Sequence, residues 1–254
     1  LRDLAEATPI AYGETVTTEL GARETQAWRF EATRGDVVDL QRTEGGPYGR
    51  LIDPFGREVL GRRYFDSFDN VTLAATGTYT LLMEAFDSAS SPQTKGFSLS
   101  KTGEVPPPTL EGQPLTLGAT VSGAIAAAGE VDDYLFTLSG AKSLYFDALS
   151  RADDRTRWSL VGPRGEEIAP RNFNRSDSAD LNAPVALDLI AGTYRLRIDR
   201  TSGTGVYVFR LLDLSEAEAI PAGEIVEATL DPGQETDVYS FEAEAGERLL
   251  VETL

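Results

Sequence analysis

The stretch ETDVYSFEAEAGE, residues 235–247, repeats a pattern that occurs twice earlier in the chain. The earlier copies are ETQAWRFEATRGD and EVDDYLFTLSGAK, and the first aromatic residues of the three copies are Trp28, Tyr134 and Tyr239. The period is therefore 134 − 28 = 106 residues and then 239 − 134 = 105 residues. A constant period of this length indicates domain-sized repeats.

Shorter motifs follow in the same order within each repeat. DPFG at residues 53–56 is matched by GPRG at 162–165, and ATGTYTLLME at 75–84 is matched by IAGTYRLRID at 190–199. Because order and spacing both agree, the motifs indicate repeated domains and not chance matches.

The two ends of the chain also match each other. LRDLAEATPIAYGETV at residue 1 corresponds to LLDLSEAEAIPAGEIV at residue 211, an offset of 211 − 1 = 210. We therefore expect a window on a longer array of repeats. The predicted divisions are the tail or linker of a preceding unit (1–10), a first β-sandwich (11–102), a Pro-rich linker (103–114), a second β-sandwich (115–214), a second linker (215–222) and the opening strands of an incomplete third unit (223–254).

Apolar residues alternate with a period of two within each repeat, as in Tyr134, Phe136 and Leu138. Strict alternation is typical of half-buried strands, and Gly- and Pro-containing turns separate these stretches. Many short strands with almost no helical periodicity predict an all-β chain of tandem antiparallel β-sandwiches. The alternation also places Tyr134, Phe136, Tyr194 and Tyr207 in the core and not on a ligand-stacking surface.

Composition limits the classes of function. The 254 residues carry a net charge of −18, which opposes binding to nucleic acid because phosphate contacts need a surplus of Lys and Arg. No apolar run approaches the length of about 18 residues that a membrane helix needs, so we expect no membrane insertion. The chain lacks His and Cys, which removes the usual general base, the thiol nucleophile and thiolate metal sites. The sequence therefore predicts a protein that is not an enzyme.

The ordered motifs resemble those of the bacterial pre-peptidase C-terminal domain. The matching stretches are Gly118–Ile125, Asp132–Gly140, Gly162–Gly165, Ala191–Ile198 and Gly205–Leu211. This resemblance implies jelly-roll-like sandwiches of about eight or nine strands, found in extracellular or cell-surface proteins. It also implies modules that are appended to secreted peptidases or arranged in tandem within very large exoproteins.

Acidic residues are the candidate calcium ligands, and calcium is the cofactor to consider. Asp132 and Asp133 precede Tyr134, where they are expected either to accept hydrogen bonds from backbone amides at a turn or to bind calcium. Two further oxygen-rich stretches are predicted to be either polar loops or calcium sites. The loop candidates are Asp153, Asp154, Asp177 and Asp180.

Aromatic residues outside the alternation mark a possible contact surface. Tyr48, Phe65, Phe68 and Phe173 lie in stretches that resemble loops. Phe65 and Phe68 belong to RRYFDSFDN, a mixture of Arg, aromatic residues and Asp that is common at protein interfaces.

Three hypotheses of function follow. The first is a non-catalytic structural and adhesive repeat segment of a long secreted or cell-surface bacterial protein. The second is a polymer- or protein-binding module appended to a secreted peptidase or other hydrolase. The third is a filament subunit, because the predicted strands 224–230 and 238–243 would leave open edges for other segments or for further copies of the repeat. The expected partners are accordingly an extracellular polymer, a protein or further repeats.

Overall fold

A computed structural model describes residues 3–86, 89–150, 154–175, 186–221 and 223–251. The chain divides into two compact units, Leu1–Thr109 and Leu110–Leu254. Apart from single turns of 3₁₀ helix, the regular elements of the described residues are β-strands. The length and apolar character that a bilayer-crossing helix requires are not found in any helix of this part of the chain.

The first unit contains a β-sandwich of nine strands. One sheet has the order β1-β3-β8-β5-β6 and the other has the order β2-β9-β4-β7. All pairs are antiparallel except the short parallel bridge between β1 and β3. The strands are β1 Thr8–Pro9, β2 Thr15–Leu20, β3 Thr25–Ala32, β4 Asp36–Glu44, β5 Tyr48–Ile52, β6 Glu58–Tyr64, β7 Ser67–Thr72, β8 Gly77–Glu84 and β9 Gln93–Glu104.

The second unit repeats this arrangement strand for strand. Its sheets have the orders β10-β12-β17-β14-β15 and β11-β18-β13-β16. The fold class predicted from the sequence, antiparallel β-sandwiches in tandem, is confirmed. The strands are β10 Gln113–Pro114, β11 Val121–Ile125, β12 Val131–Leu138, β13 Lys142–Ala148, β14 Thr156–Gly162, β15 Gly165–Asn172, β16 Ala186–Leu189, β17 Gly192–Arg200 and β18 Gly205–Asp213.

Each sandwich has its own apolar core, supplied by the alternating residues of its strands. In the second sandwich the predicted core aromatics, Tyr134, Phe136, Tyr194 and Tyr207, are 0–5% exposed. Phe136 stacks on Tyr194 with ring centroids 5.1 Å apart. The period-two pattern therefore identified this core correctly.

Three aromatic residues predicted to be exposed are instead buried. Phe65, Phe68 and Phe173 are 0%, 3% and 2% exposed, so their assignment to a contact surface is wrong. Phe65 and Phe173 directly follow β6 and β15, where the chain leaves one sheet and crosses to the other. At each crossing the phenylalanine side chain is buried between the two sheets. The residue therefore departs from the alternation of the strands although its ring is not exposed.

Two sequence motifs meet at the same place in both sandwiches. Gly77 packs against Pro54 of DPFG, and Gly192 packs against Pro163 of GPRG. A Cβ atom on Gly192 would lie 2.3 Å from Pro163 Cγ, and the φ angle of +146° is also one that favours glycine. The motifs therefore recur together because one supplies the proline and the other supplies the residue without a side chain.

The tyrosine that follows each of these glycines anchors the turn before it. The Tyr79 hydroxyl donates to the Ala75 carbonyl at 3.1 Å, and the Tyr194 hydroxyl donates to the Ile190 carbonyl at 2.7 Å. Burial raises the pKa of Tyr194 to about 12, and the nearby Glu167 carboxylate adds to this effect. Burial also raises the pKa of Tyr79, so both hydroxyls are neutral donors under physiological conditions.

Both sandwiches place an ion pair at the same point between neighbouring strands, with the charges exchanged. Asp36 begins β4 and pairs with Lys101 of β9 at 2.6 Å. Lys142 begins β13 and pairs with Asp213 of β18. The hydrogen bond from Lys142 lowers the pKa of Asp213. Burial alone would raise the pKa of Asp36, but hydrogen bonds, above all the one from Lys101, hold it below its ordinary value.

The opening of a repeat forms three times. A short parallel bridge joins β1 to β3 and β10 to β12, and a third joins β19 Glu218–Ala219 to β20 Tyr239–Ser240. The 3₁₀ helices Leu4–Glu6 and Leu214–Glu216 precede β1 and β19, as the offset of 210 residues requires. β1 lies inside the segment predicted as a tail of a preceding unit, and it pairs with the first sandwich.

The longer strands predicted at 224–230 and 238–243 do not form. Within residues 223–251, the structure contains only the two-residue strand β20. In the complete sandwiches the corresponding early strands β2 and β11 pair with the last strands, β9 and β18. The described residues of the third repeat include no such partner strand, and the predicted extended strands are not observed among them.

Candidate interaction surface

An exposed aromatic cluster lies at one end of the five-stranded sheet of the first sandwich. At this end β5 begins, and β6 and β8 finish, so that Tyr48 pairs with Tyr64 and with Glu84. We call Tyr48, Tyr64 and Phe86, together with their cationic neighbours Arg42, Arg62 and Lys95, the aromatic–cation surface.

The two tyrosine rings of this surface pack against Phe86. The Tyr48 ring meets Phe86 edge-on with centroids 5.1 Å apart, and the Tyr64 ring stacks on Phe86 at 6.0 Å. Tyr64 is 48% exposed, whereas Tyr48 and Phe86 are half-buried. Packing thus fixes the rings while one of them remains open to a ligand.

A cation accompanies each ring. The pairs are Arg62 Cζ at 4.0 Å from the Tyr48 centroid, Arg42 Cζ at 5.7 Å from Tyr64 and Lys95 Nζ at 5.6 Å from Phe86. These distances fall within the range of cation–π attraction.

The guanidinium groups of the surface also contact carboxylates. Arg62 Nε lies 2.5 Å from Glu84 Oε2, and Arg42 Nη2 lies 2.8 Å from Asp66 Oδ1. Much of the positive charge is therefore balanced locally. The surface offers ring faces and hydrogen-bond donors, which suits a partner that presents apolar rings or CH groups beside acceptor oxygens.

Of the four aromatic residues predicted to form a contact surface, only Tyr48 belongs to this cluster. The sequence pattern selects neither Tyr64, although it lies in RRYFDSFDN beside Phe65, nor Phe86, which follows the end of β8. The pairing of β5 with β6 supplies the missing information, since it brings Tyr64 beside Tyr48.

The acidic candidates Asp132 and Asp133 serve the sandwich itself. They lie inside β12, not at a turn, so the prediction of backbone hydrogen bonds at a turn is wrong. The Tyr207 hydroxyl donates to Asp132, and it lies 2.7 Å from the Tyr134 hydroxyl. Asp133 binds both Nε and Nη2 of Arg197 at 2.8 Å.

The electrostatics of these contacts agree with their geometry. Burial and the hydrogen bond to Asp132 raise the pKa of Tyr207, so that it stays a donor. The carboxylate of Asp133 raises the pKa of Arg197, mainly through its hydrogen bonds. Oxygens that hold these partners are poorly placed to serve as calcium ligands as well.

The structure describes only one of the other four acidic candidates. Asp153, Asp177 and Asp180 lie outside the described residues, and Asp154 is exposed in the turn before β14. Within the part of the chain that the structure describes, no group of three acidic side chains comes together in a way that would hold a metal ion. Calcium binding by these residues stays a prediction.

No family model matches the chain. No curated protein matches it either. Among solved structures, the pre-peptidase C-terminal domain of a collagenase from Bacillus anthracis is 17% identical over 41% of this chain and 98% of that chain, with a TM-score of 0.31. The CUB1-EGF-CUB2 domains of rat MASP-1 are 7% identical over 82% of this chain and 100% of that chain, with a TM-score of 0.26.

The aromatic–cation surface belongs to the first sandwich alone. Tyr48 pairs with Glu84, and in the second sandwich the corresponding pair is Arg157 with Asp199. Arg157 Nε lies 2.8 Å from Asp199 Oδ1, so an ion pair replaces the aromatic residue. The two sandwiches share a fold but present different chemistry to a partner.

Proposed function

We propose that the chain is a non-catalytic structural and adhesive repeat segment of a secreted or cell-surface protein. The observation that carries this proposal is the repetition of one nine-strand arrangement in the same strand order, with its opening bridge formed a third time. Repeated sandwiches of this kind provide spacing, and the sequence contains neither His nor Cys for the commonest catalytic tasks.

The aromatic–cation surface is the proposed adhesive contact. Its exposed Tyr64 ring is fixed by Phe86, so that little side-chain freedom is lost on binding. Aromatic residues and Arg are also the types enriched where protein partners bind.

The same surface favours a second candidate function, a polymer- or protein-binding module appended to a secreted peptidase or other hydrolase. Stacked aromatic rings suit the sugar faces of a polysaccharide and the proline rings of collagen. The resemblance to the pre-peptidase C-terminal domain supports this alternative, under which a catalytic domain belongs to the same parent chain.

A filament role is supported by the exposed apolar residues of the third repeat. Leu230 and Phe241 are 46% and 53% exposed, whereas Ile125 and Phe136, at the corresponding positions of the second repeat, are 1% and 5% exposed. The partners that would bury them are the remaining strands of the same parent chain or strands of a neighbouring copy, and only the second case makes a filament.

A binding assay tests these functions. The chain is added to immobilised collagen, chitin, cellulose and immobilised copies of the protein itself. We expect saturable binding to one surface, abolished by Tyr64→Ala and retained by Phe55→Ala, which removes another exposed ring of the same sandwich. Binding to an isolated polymer favours the appended module, and binding to the protein itself favours the structural and filament roles. Absence of saturable binding, or equal binding by both variants, contradicts the assignment of this surface.

A further inference from the structure

A carboxylate on the outer face of the second sandwich is fully buried. In β13, Phe146 points into the core, whereas Asp147 and Tyr145 lie on the opposite face. Asp147 is nevertheless 0% exposed. On the corresponding strand of the first sandwich, β4, the outer residues Asp39 and Gln41 are partly exposed. In the second sandwich another part of the chain therefore covers Asp147.

The register of the strands shows that an ion pair occurs at this position in one sandwich only. Asp147 pairs across the ladder with Arg210 of β18. In the first sandwich the residues at these positions are Gln41 and Ser98. The charges are therefore a feature of the second sandwich and not a requirement of the fold.

Arg210 joins Asp147 to the next repeat. Its Nε lies 2.6 Å from Asp147 Oδ2, and its Nη1 lies 2.8 Å from Glu235 Oε1. Its Nη2 donates to the Thr236 carbonyl at 2.9 Å, and the Thr236 amide donates to Asp147 Oδ2 at 3.4 Å. Every guanidinium nitrogen thus has an acceptor, two of which belong to the third repeat.

The glutamate that pairs with Arg210, Glu235, has an equivalent in each of the other two repeats. Glu24, Glu130 and Glu235 each stand at the start of the repeated pattern and cap the turn before it through Oε2. The amides that donate are those of Gly21 at 2.7 Å, Ala126 at 2.6 Å and Asp231 at 3.1 Å. Glu235 Oε2 accepts the hydrogen bond of the turn, which leaves Oε1 to pair with Arg210. Arg210 thus contacts a residue that marks the start of each repeat.

Apolar packing contributes little to this contact. A cleft of about 340 Å³ remains beside it, lined by Leu117, Leu212, Ala217, Asp237 and Val238 among others. The segment 231–238 is therefore held by the β19–β20 bridge and by polar contacts, not by a continuous core.

We propose that Asp147 and Arg210 form a docking site for segment 231–238, and that this site fixes the third repeat on the second through Glu235 and Thr236. Buried ion pairs add little net stability compared with apolar packing, but they discriminate strongly between partners. The site therefore selects the glutamate-bearing start of a repeat. The inference does not depend on what the aromatic–cation surface binds, and a negative result in the adhesion assay leaves it standing.

Hydrogen–deuterium exchange of the full chain tests the docking site. The double variant Asp147→Gln/Arg210→Ser gives the second sandwich the residues of the first, which avoids an unpaired buried charge. We expect exchange in segment 231–238 to accelerate about tenfold or more, while β17 in the core exchanges at its original rate.

Arg157→Ser/Asp199→Gln is the matched control, because it removes an ion pair from the other sheet of the same sandwich. It should leave segment 231–238 unaffected. Unchanged exchange of this segment in the docking variant overturns the proposal. If β17 also exchanges faster, Glu235→Gln decides, since it lies outside the sandwich: acceleration confined to segment 231–238 supports docking, and no acceleration refutes it.

Discussion

A chain of three polar groups, Tyr134, Tyr207 and Asp132, illustrates what single residues do in the second sandwich. Tyr207 is 0% exposed, and its hydroxyl links the other two side chains. Without it, Asp132 and Tyr134 lose a partner in a buried position, and buried polar groups without partners are destabilising.

We therefore predict that Tyr207→Phe lowers the free energy of unfolding by about 1–3 kcal/mol. The urea midpoint reported by Trp158 fluorescence in a Trp28→Phe background measures the effect. Tyr239→Phe is the control, because its hydroxyl lies 3.5 Å from Asp237 in an exposed contact. A Tyr207→Phe midpoint equal to that of the control would show that the hydroxyl chain contributes no stability.

Asp147 makes stability depend on pH in the direction opposite to that of an ordinary ion-paired carboxylate. Burial raises its pKa above the usual 3.8 by more than Arg210 lowers it. The folded state then binds the proton more tightly than the unfolded chain, so the stability contributed by this group falls as pH rises through the raised pKa. Arg210 is the charged group that pairs with Asp147, and Arg210 pairs in turn with Glu235.

The Asp147→Asn variant should accordingly show a shallower loss of stability than the parent as pH rises from about 4 towards neutrality. Urea midpoints measured across this range give the two slopes. Parallel slopes would mean that Asp147 keeps an ordinary pKa in the folded protein.

At the scale of elements, the crossings from one sheet to the other close the sandwich. Phe65 and Phe173 occupy the crossings after β6 and β15, and both are buried. In the first sandwich Phe65 takes space that a larger residue at Gly49 would need, since a Cβ there would lie 2.7 Å from the Phe65 ring. In the second sandwich Trp158 stands at the position of Gly49, and Trp158 and Phe173 both contact the ring of Phe146.

We predict that Phe65→Ala and Phe173→Ala each destabilise their own sandwich by about 3–5 kcal/mol, the usual result of removing a buried aromatic ring. Tyr64→Ala, next to Phe65 but 48% exposed, should change stability by less than about 1 kcal/mol. Thermal unfolding of the three variants makes the comparison. Similar effects for Phe65→Ala and Tyr64→Ala would refute a core role for the crossing residue.

The sequence predicts those parts of the fold that depend on local pattern. Alternation and turn motifs identify the strands, the core tyrosines and the repeat, because each depends on residues close in the chain. It does not predict the burial of Phe65, which depends on a sheet crossing. It also does not predict the partner of Tyr48, which depends on strand pairing, or the burial of Asp147, which is caused by a segment 89 residues later at Thr236.

For the molecule as a whole, we propose calcium binding by the oxygen-rich sequence NRSDSADLN, which contains Asp177 and Asp180. We expect millimolar calcium, added after EDTA, to raise the melting temperature by several degrees through binding to the folded state. The increment should vanish in Asp177→Asn/Asp180→Asn and persist in Asp133→Asn. No increment in the parent protein would mean that these carboxylates serve solubility and loop geometry alone.

The exchanged ion pairs, Asp36 with Lys101 and Lys142 with Asp213, also bear on how two similar sandwiches fold within one chain. Similar repeats are prone to misassembly, in which strands of one domain pair with strands of another. If β4 paired with β18, Asp36 would meet Asp213, and β13 paired with β9 would bring Lys142 against Lys101. Like charges at these points disfavour both hybrids.

The double variant Lys142→Asp/Asp213→Lys tests this consequence, because it keeps an ion pair in each sandwich but gives both the same order of charges. We expect its native stability to stay close to that of the parent and its yield of soluble monomer after rapid refolding to fall. An unchanged yield would show that the charge order has no part in sorting the strands. A lower yield would show that the order of the charges acts during strand pairing, since each finished sandwich of the variant still holds an ion pair.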